Sequence, residues 1–440
     1  MIPESTRLDQ QTLTLFLEQD AVVQRYRTLF ALIDWTPVQR WQQQRDAHTT
    51  GPHPHPESAY LKAFLVKLCE EKRYQTQLRR FLVEHPLLVL ELGFQLHLDP
   101  TQLYGFEVQR TVPSDRWVRE KLRSLDPGLL HALLQASVHA LQAEIPGLGE
   151  VVAVDVKHIY AWVRENNPRE SITDRFCKDR QPTGDPDCRV GVKKSTNQEQ
   201  PDGSKKEHKE YLWGYGSGVV AATTPDSGDV VLAEHTLPFN HTDVEYYRPL
   251  HQQTVATLGF VPTHVAADAA FDCWYVYESC AQQHGIAAVP LRHLTDTVFQ
   301  ADGVPLCFKG LRMHPTYQFQ HTNGYRAQRY RCPLLFPVRT PESCDHAQFL
   351  KGKGCVKDID SEQGGMLRVL LDRNSPLYHA VYVQRTSAER INSQSQALGI
   401  ERPKVRNARS VARLNTLIYL LINTRALARA RSINRQLLRF

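Results

Sequence analysis

The sequence predicts an α/β protein in which a helical N-terminal region precedes an α/β core, and a cysteine-bearing segment interrupts that core. Three observations carry the prediction. Over the first 150 residues apolar positions recur three and four apart, as in Ala59-Tyr60-Leu61-Lys62-Ala63-Phe64-Leu65-Val66-Lys67-Leu68, and no alternating β pattern appears. From Val151 onward short apolar runs alternate with helical stretches. Between 295 and 365 that rhythm breaks, and Cys307, Cys332, Cys344 and Cys355 fall among turn residues. A chain of 440 residues exceeds what one core usually supports. The expected units are therefore 1–150, 151–294, 295–365 and 366–440, the second and fourth being two parts of one core.

Taken in order, Gly51-Pro52-His53-Pro54-His55-Pro56 breaks the helical region into two groups. Ser114 and Asp115 offer a polar cap for a helix through Val118 and Leu122, and Asp126-Pro127-Gly128 supplies the next turn. The run Val151-Val152-Ala153-Val154-Asp155-Val156 reads as a buried central strand broken by one carboxylate. From Arg164 to Glu210 the chain is charged and rich in turn residues, and reads as one long loop carrying Lys193, Lys194, Lys205, Lys206 and Lys209. Such a loop either orders across a DNA backbone or stays a solvated segment. Further strands are expected at 212–223, 230–237, 264–267, 286–290 and 379–383. Helices are expected at 242–258 and 274–284, and from Ser387 and Val411 onward.

Composition narrows the classes of function. An apolar fraction of 41% excludes a wholly disordered chain. No stretch approaches the roughly 20 apolar residues of a spanning helix, and the first residues lack the basic end and apolar run of a secretory leader, so a soluble cytoplasmic protein is expected. Nine cysteines, an odd number spread over the chain, fit reduced thiols. The formal charge of +6 is lopsided: Arg390 to Phe440 holds ten Arg and one Lys against the single acid Glu401. That segment repeats arginine at Arg425, Arg429 and Arg435 around a leucine seam, which suits both packing with snorkelled arginines and contact with nucleic acid.

Three acids sit where packing explains an acid least. Asp155 lies inside an apolar strand, Asp268 follows directly on His264-Val265-Ala266-Ala267, and Glu389 begins a helix after an expected strand. Burying a charge costs several kcal/mol unless it is paired or bound to metal. Each alone is more often an ion-pair partner or a cap. Together, three carboxylates from separated segments suit Mg²⁺, with Mn²⁺ able to substitute, and two-metal phosphodiester chemistry. Asp272 is the rival to Asp268.

The stretch Tyr382-Val-Gln-Arg385-Thr-Ser-Ala-Glu389 reproduces the first part of a Y-(2)-R-(3)-E-(6)-K signature, and the segments around Asp155 and Asp268 look like the two accompanying acid motifs. In these residues the chain resembles the DDE transposases of bacterial insertion sequences. The signature's final lysine is absent, since Gln396 stands seven residues after Glu389. The resemblance implies an RNase H-like core, with Asp155, Asp268 and Glu389 as catalytic metal ligands. It also implies Arg385 on phosphate beside the scissile bond, and Tyr382 stacked on a base or sugar. Lys157, close after Asp155, is a further phosphate-contact candidate beside Arg425, Arg429 and Arg435. Double-stranded DNA, as transposon end and target, is the implied partner, read mainly by the N-terminal helices and held by a homodimer or larger assembly.

Two other readings stand beside this one: an RNase H-like nuclease without strand transfer, and a non-catalytic DNA-binding protein derived from a transposase. The four cysteines, spaced x24, x11 and x10 with His314 and His346 nearby, suit either a structural Zn²⁺ site or free buried thiols.

Overall fold

Helices alone build the first third of the chain: α1 (Gln10–Gln19), α2 (Ala21–Phe30), α3 (Thr36–Ala47), α4 (Glu57–Cys69), α5 (Gln75–Glu84), α6 (Pro86–Leu92), α7 (Val108–Thr111), α8 (Asp115–Ser124) and α9 (Pro127–Glu144). The structure is a computed structural model and describes residues 10–47, 55–199, 205–224, 228–292, 297–321 and 324–432. Positions 51–54 of the Pro/His run lie outside the described residues. The expected caps are realised: Ser114 accepts from Trp117 N at 3.3 Å, and Asp126 accepts from Leu129 N at 2.7 Å with Pro127 at the first helical position. Glu57, nearly fully buried at the start of α4, takes Arg45 of α3 at 3.2 Å and Lys121 of α8, so one carboxylate ties three helices.

The remainder is mixed α/β on a mixed sheet. Its strands are β1 (Val151–Tyr160), β2 (Arg189–Glu199), β3 (Lys205–Thr224), β4 (Gly228–Pro238), β5 (His264–Ala267) and β6 (Ala287–Ala288). Residues 214–221 of β3 pair antiparallel with β1, and 215–224 pair antiparallel with β4, so these strands flank β3 on opposite edges. The first half of β3 pairs with β2 as a hairpin that runs beyond them. On its other edge β1 is parallel to β5, and β5 is parallel to β6. Helices α10 (Asp243–Leu258) and α11 (Trp274–Ala281) make the crossovers between β4, β5 and β6.

A second sheet, antiparallel in the order β7 (His314–Gln320), β8 (Arg326–Arg331) and β9 (Val356–Asp360), holds the cysteine-bearing segment together with the short α12 (Ala347–Leu350). The chain then returns through α13 (Gln363–Leu370), α14 (Pro376–Val383), α15 (Thr386–Ala397) and α16 (Ala408–Ser432). Gly364 permits the return: a Cβ there would stand 2.1 Å from Trp274 O, so α13 crosses α11 at backbone contact.

Two expectations are corrected. The segment 379–383 is helical, because Ser375 accepts from Tyr378 N at 3.2 Å and Pro376 is pre-set for the first helical turn. The expected loop from 164 to 210 contains β2 and the start of β3, which puts Lys193 and Lys194 on one strand and Lys205, Lys206 and Lys209 on its partner. Its remaining turns are organised by Asp185, which accepts from Tyr215 Oη at 2.7 Å and Asn407 N at 3.1 Å.

Among the described residues apolar side chains gather into two large cores, a small core bearing the cysteines, and a minor cluster of Tyr160, Leu212 and Phe239. One large core runs without a break from the N-terminal helices across one face of the sheet to α14, α15 and α16. The other lies between the opposite sheet face and α9, α10 and α11. Helix α16 is buried on almost every side from Val411 to Leu427, as a helix threaded between both layers must be. No described helix is long and apolar enough to cross a membrane.

Candidate active site

Strand register brings two of the expected acids together. Val154 of β1 pairs with Ala267, the last residue of β5, so Asp155 and Asp268 follow side by side on parallel neighbours about 4.8 Å apart. Asp268 caps the 3-10 turn Ala269–Phe271 and accepts from Ala270 N at 2.9 Å. Asp155 accepts from Val156 N at 2.8 Å through one oxygen and from Asn392 Nδ2 at 2.8 Å through the other.

The electrostatics of this corner are unfavourable to charge. Burial, with the nearby Asp268 and Asp243 adding to it, pushes the Asp155 carboxyl up to about 6, although the Val156 N–H and Arg385 pull the other way. Asp243, first residue of α10, is likewise pushed up to about 6, by burial first and then by Asp268. Sequence reading missed Asp243 because Thr242-Asp243-Val244-Glu245 reads as an ordinary capping box, which it also is: Thr242 N donates to Glu245 Oε1 at 2.8 Å.

Helix α15 lies across β1 and β3 and delivers the remaining residues. Glu389 is in its first turn, 48% exposed, and paired with Arg385 at 2.8 Å. The Arg385 guanidinium stands 5.6 Å from the Tyr382 ring centre, and the charges of both Glu389 and Asp155 act on it. Glu389 therefore reaches the aspartates through Arg385 and through its own helix. Asn392, three residues on and so on the same helical face, is the side chain that touches Asp155. Among the described residues its buried Oδ1 has no hydrogen-bond partner. Helical spacing from Glu389 was the signal that could have found it.

Lys157, two residues beyond Asp155 and on the same strand face, donates to Gln396 Oε1 at 3.0 Å and stands 3.7 Å from Glu401. An ammonium thus reaches the position where the resembled signature has lysine. Asp272 is elsewhere engaged: Arg368 grips both its oxygens at 2.6 Å, which more than offsets burial and leaves its carboxyl below the usual range. Arg425 and Arg429 are exposed on α16, Arg425 by Cys69 of α4 and Arg429 by Gly228. Arg435 lies outside the described residues.

Cys307, Cys332, Cys344 and Cys355 converge in the small core, where burial pushes the Cys355 thiol up, and the three other sulfurs add to the shift. His346 Nδ1 is 3.7 Å from Cys355 Sγ, and His314 starts β7. As the side chains stand, no group of three or more His, Cys, Asp or Glu among the described residues is arranged to hold a metal ion. No protein-family model matches the chain, and no curated protein is similar to it.

Proposed function

We propose that this chain is a DNA transposase that cuts transposon ends and joins the freed 3′-hydroxyl to target DNA. The observation that carries the reading is the juxtaposition of Asp155 and Asp268 on parallel neighbouring strands, with α15 lying across β1 and β3 and the end of α14 and start of α15 supplying Tyr382, Arg385 and Glu389. The order β4-β3-β1-β5-β6, antiparallel on one side of β1 and parallel on the other, with helical crossovers, supports an RNase H-like core interrupted by the cysteine-bearing unit.

The residues fit divalent cations. Crowded carboxylates with raised affinity for protons are what a cation relieves, and the orphaned Asn392 Oδ1 is an acceptor in want of a partner beside them. Asp155 and Asp268 would hold Mg²⁺, or Mn²⁺ in its place, and Glu389 would join them on leaving Arg385. When bound, such ions activate the attacking oxygen and stabilise the leaving one in an in-line displacement. The chain itself does the positioning. Val156 N and Asn392 fix the Asp155 carboxylate, Arg385 holds the phosphate beside the scissile bond, Tyr382 stacks on a base or sugar, and Lys157 adds a second cation near Gln396.

The N-terminal helices read the transposon end. Two ends must be held for joining, so a homodimer or larger assembly on DNA belongs to the reading, as do a place in the cytoplasm with the nucleoid and one structural Zn²⁺ on the cysteines. The test is purified protein on labelled duplexes bearing the inverted repeats that flank the coding region, with and without Mg²⁺. Cleavage and strand transfer should require the metal, and Asp155→Asn or Asp268→Asn should abolish both while DNA binding persists. Full cleavage by either variant would remove that residue from the site.

A further inference from the structure

Two hollows of about 380 and 390 Å³ share Arg402, Pro403 and Lys404 and so form one trough. One end is lined by Trp162, Arg164 and Arg406, the other by Lys67, Lys72, Arg73 and Gln396. The acids along it are Glu71 and Glu401, and Glu401 already faces Lys157. Among the described residues none of Lys72, Arg73, Arg402, Lys404 and Arg406 lies within 4 Å of a carboxylate. Aromatic faces hold four of them instead. Arg402 sits 3.9 Å above Tyr160, Lys404 and Arg406 lie 5.6 and 4.8 Å from Trp162, and Lys72 is 5.4 Å from Phe81. The Tyr74 ring centre lies 6.0 Å from that of Trp162, edge to face, beside the trough.

Rings fix a cation without neutralising it, so this trough keeps its positive charge. Its floor is also rigid. The loop between α15 and α16 is tied at one end by Tyr160 N donating to Glu401 O at 2.8 Å, and at the other by Asn407 and Ala408 N–H groups donating to Asp185 and Asp187. Gathering like charges costs folding free energy, which an anionic partner would recover. The trough also leads to the candidate active site. Gln396 in its wall is seven residues beyond Glu389 on α15, about 10 Å along the axis.

We infer that this trough is the track for the sugar–phosphate backbone of duplex DNA flanking the scissile phosphate, with Trp162 and Tyr74 against the sugars. This rests on the proposed function for its direction but is testable without it. Affinity of the full chain for a random-sequence duplex is measured at several salt concentrations, alongside melting temperature. Replacing Arg402, Lys404 and Arg406 by Gln together should weaken binding at least tenfold and flatten the slope of log affinity against log salt by up to about 2.7, at about 0.9 per phosphate contact. The pair Lys72→Gln and Arg73→Gln should remove up to about 1.8 from the slope without touching the loop. An unchanged slope in both well-folded variants overturns the track. Slope loss in a protein that makes no Mg²⁺-dependent cut keeps the track and sinks the chemistry. Cleavage with an unchanged slope does the reverse.

Discussion

Buried acids meet three different fates in this chain, and the difference lies in what each is given as a partner. Asp272 has Arg368 and is a structural ion pair, so removing one partner would strand the other at a cost of about 3–5 kcal/mol. Asp155 has an amide, a backbone N–H and other carboxylates, an arrangement suited to a cation. Glu234 on β4 has two hydroxyls, Thr416 Oγ1 at 2.7 Å and Thr236 Oγ1 at 3.5 Å, with Tyr419 nearby and, among the described residues, no ion-pair partner. Burial pushes its carboxyl up to about 7 from an ordinary 4.5, against the pull of the two threonines. The folded state therefore keeps a proton that the unfolded chain has lost between those values. Its contribution is full below about 4.5 and is lost as pH rises through about 7. Glu234→Gln, which stays neutral, should match the parent near pH 4 and exceed its stability by about 3 kcal/mol at pH 8. Urea unfolding at the two pH values checks this, and a parallel loss in both proteins would show that Glu234 ionises without penalty.

Among elements, α16 shows how a helix can finish a sheet. β4 carries a register shift opposite Val220 and Ala221, and it is Asn423 of α16 that completes the backbone of Val231 there. Its Oδ1 accepts from Val231 N at 2.8 Å, while its Nδ2 donates to Val231 O at 2.8 Å and Ser137 Oγ at 3.0 Å. Asn423→Leu leaves two buried peptide groups unpaired, at about 1–3 kcal/mol each. The variant should lose about 2–5 kcal/mol by denaturant unfolding, and a loss below about 1 kcal/mol would mean that water or a shift of β4 replaces the amide. Nothing in the sequence pointed to this residue, because a lone Asn in an apolar helix states no partner. The strands β1 and β5 were legible because buried parallel neighbours leave apolar runs, and their acids stood out against those runs. Helix α14 was not, since Tyr378-His379-Ala380-Val381-Tyr382-Val383 is rich in strand formers, and the Ser375-Pro376 start signal outweighs them only in context. The β2–β3 hairpin hid because Lys193, Lys194, Lys205, Lys206 and Lys209 fall within its strands and obscure the alternation by which a strand is read.

At the scale of the whole molecule the two large cores and the cysteine-bearing one are unequal. Two are extensive and layered around the main sheet, while the third consists of Met313, Leu334 and four cysteines, with Tyr330, Leu335 and Phe349 partly covering it. A three-stranded sheet over so little aliphatic surface lacks the burial by which a unit of this size holds itself together. Disulfides do not supply the difference, since all four thiols are free. The chain nonetheless shapes this corner closely. Cys307 O accepts from Gly310 N at 2.8 Å, Cys332 O accepts from Leu335 and Phe336 N–H groups at 3.1 and 3.0 Å, and Gly354 passes so near that a Cβ would stand 2.6 Å from Cys332 Cβ. Two cysteines in tight turns and two more brought against them suit tetrahedral Zn²⁺, whose binding would contribute folding free energy directly. Protein purified without chelator should then carry close to one zinc per chain by elemental analysis. Chelation should lower the melting temperature of the cysteine-bearing unit while leaving the main transition in place, because the large cores do not share its side chains. Cys332→Ser should do the same without chelator. Zinc near zero, together with a melting curve that chelation leaves unchanged, would refute the site and leave four buried thiols as the whole of that core.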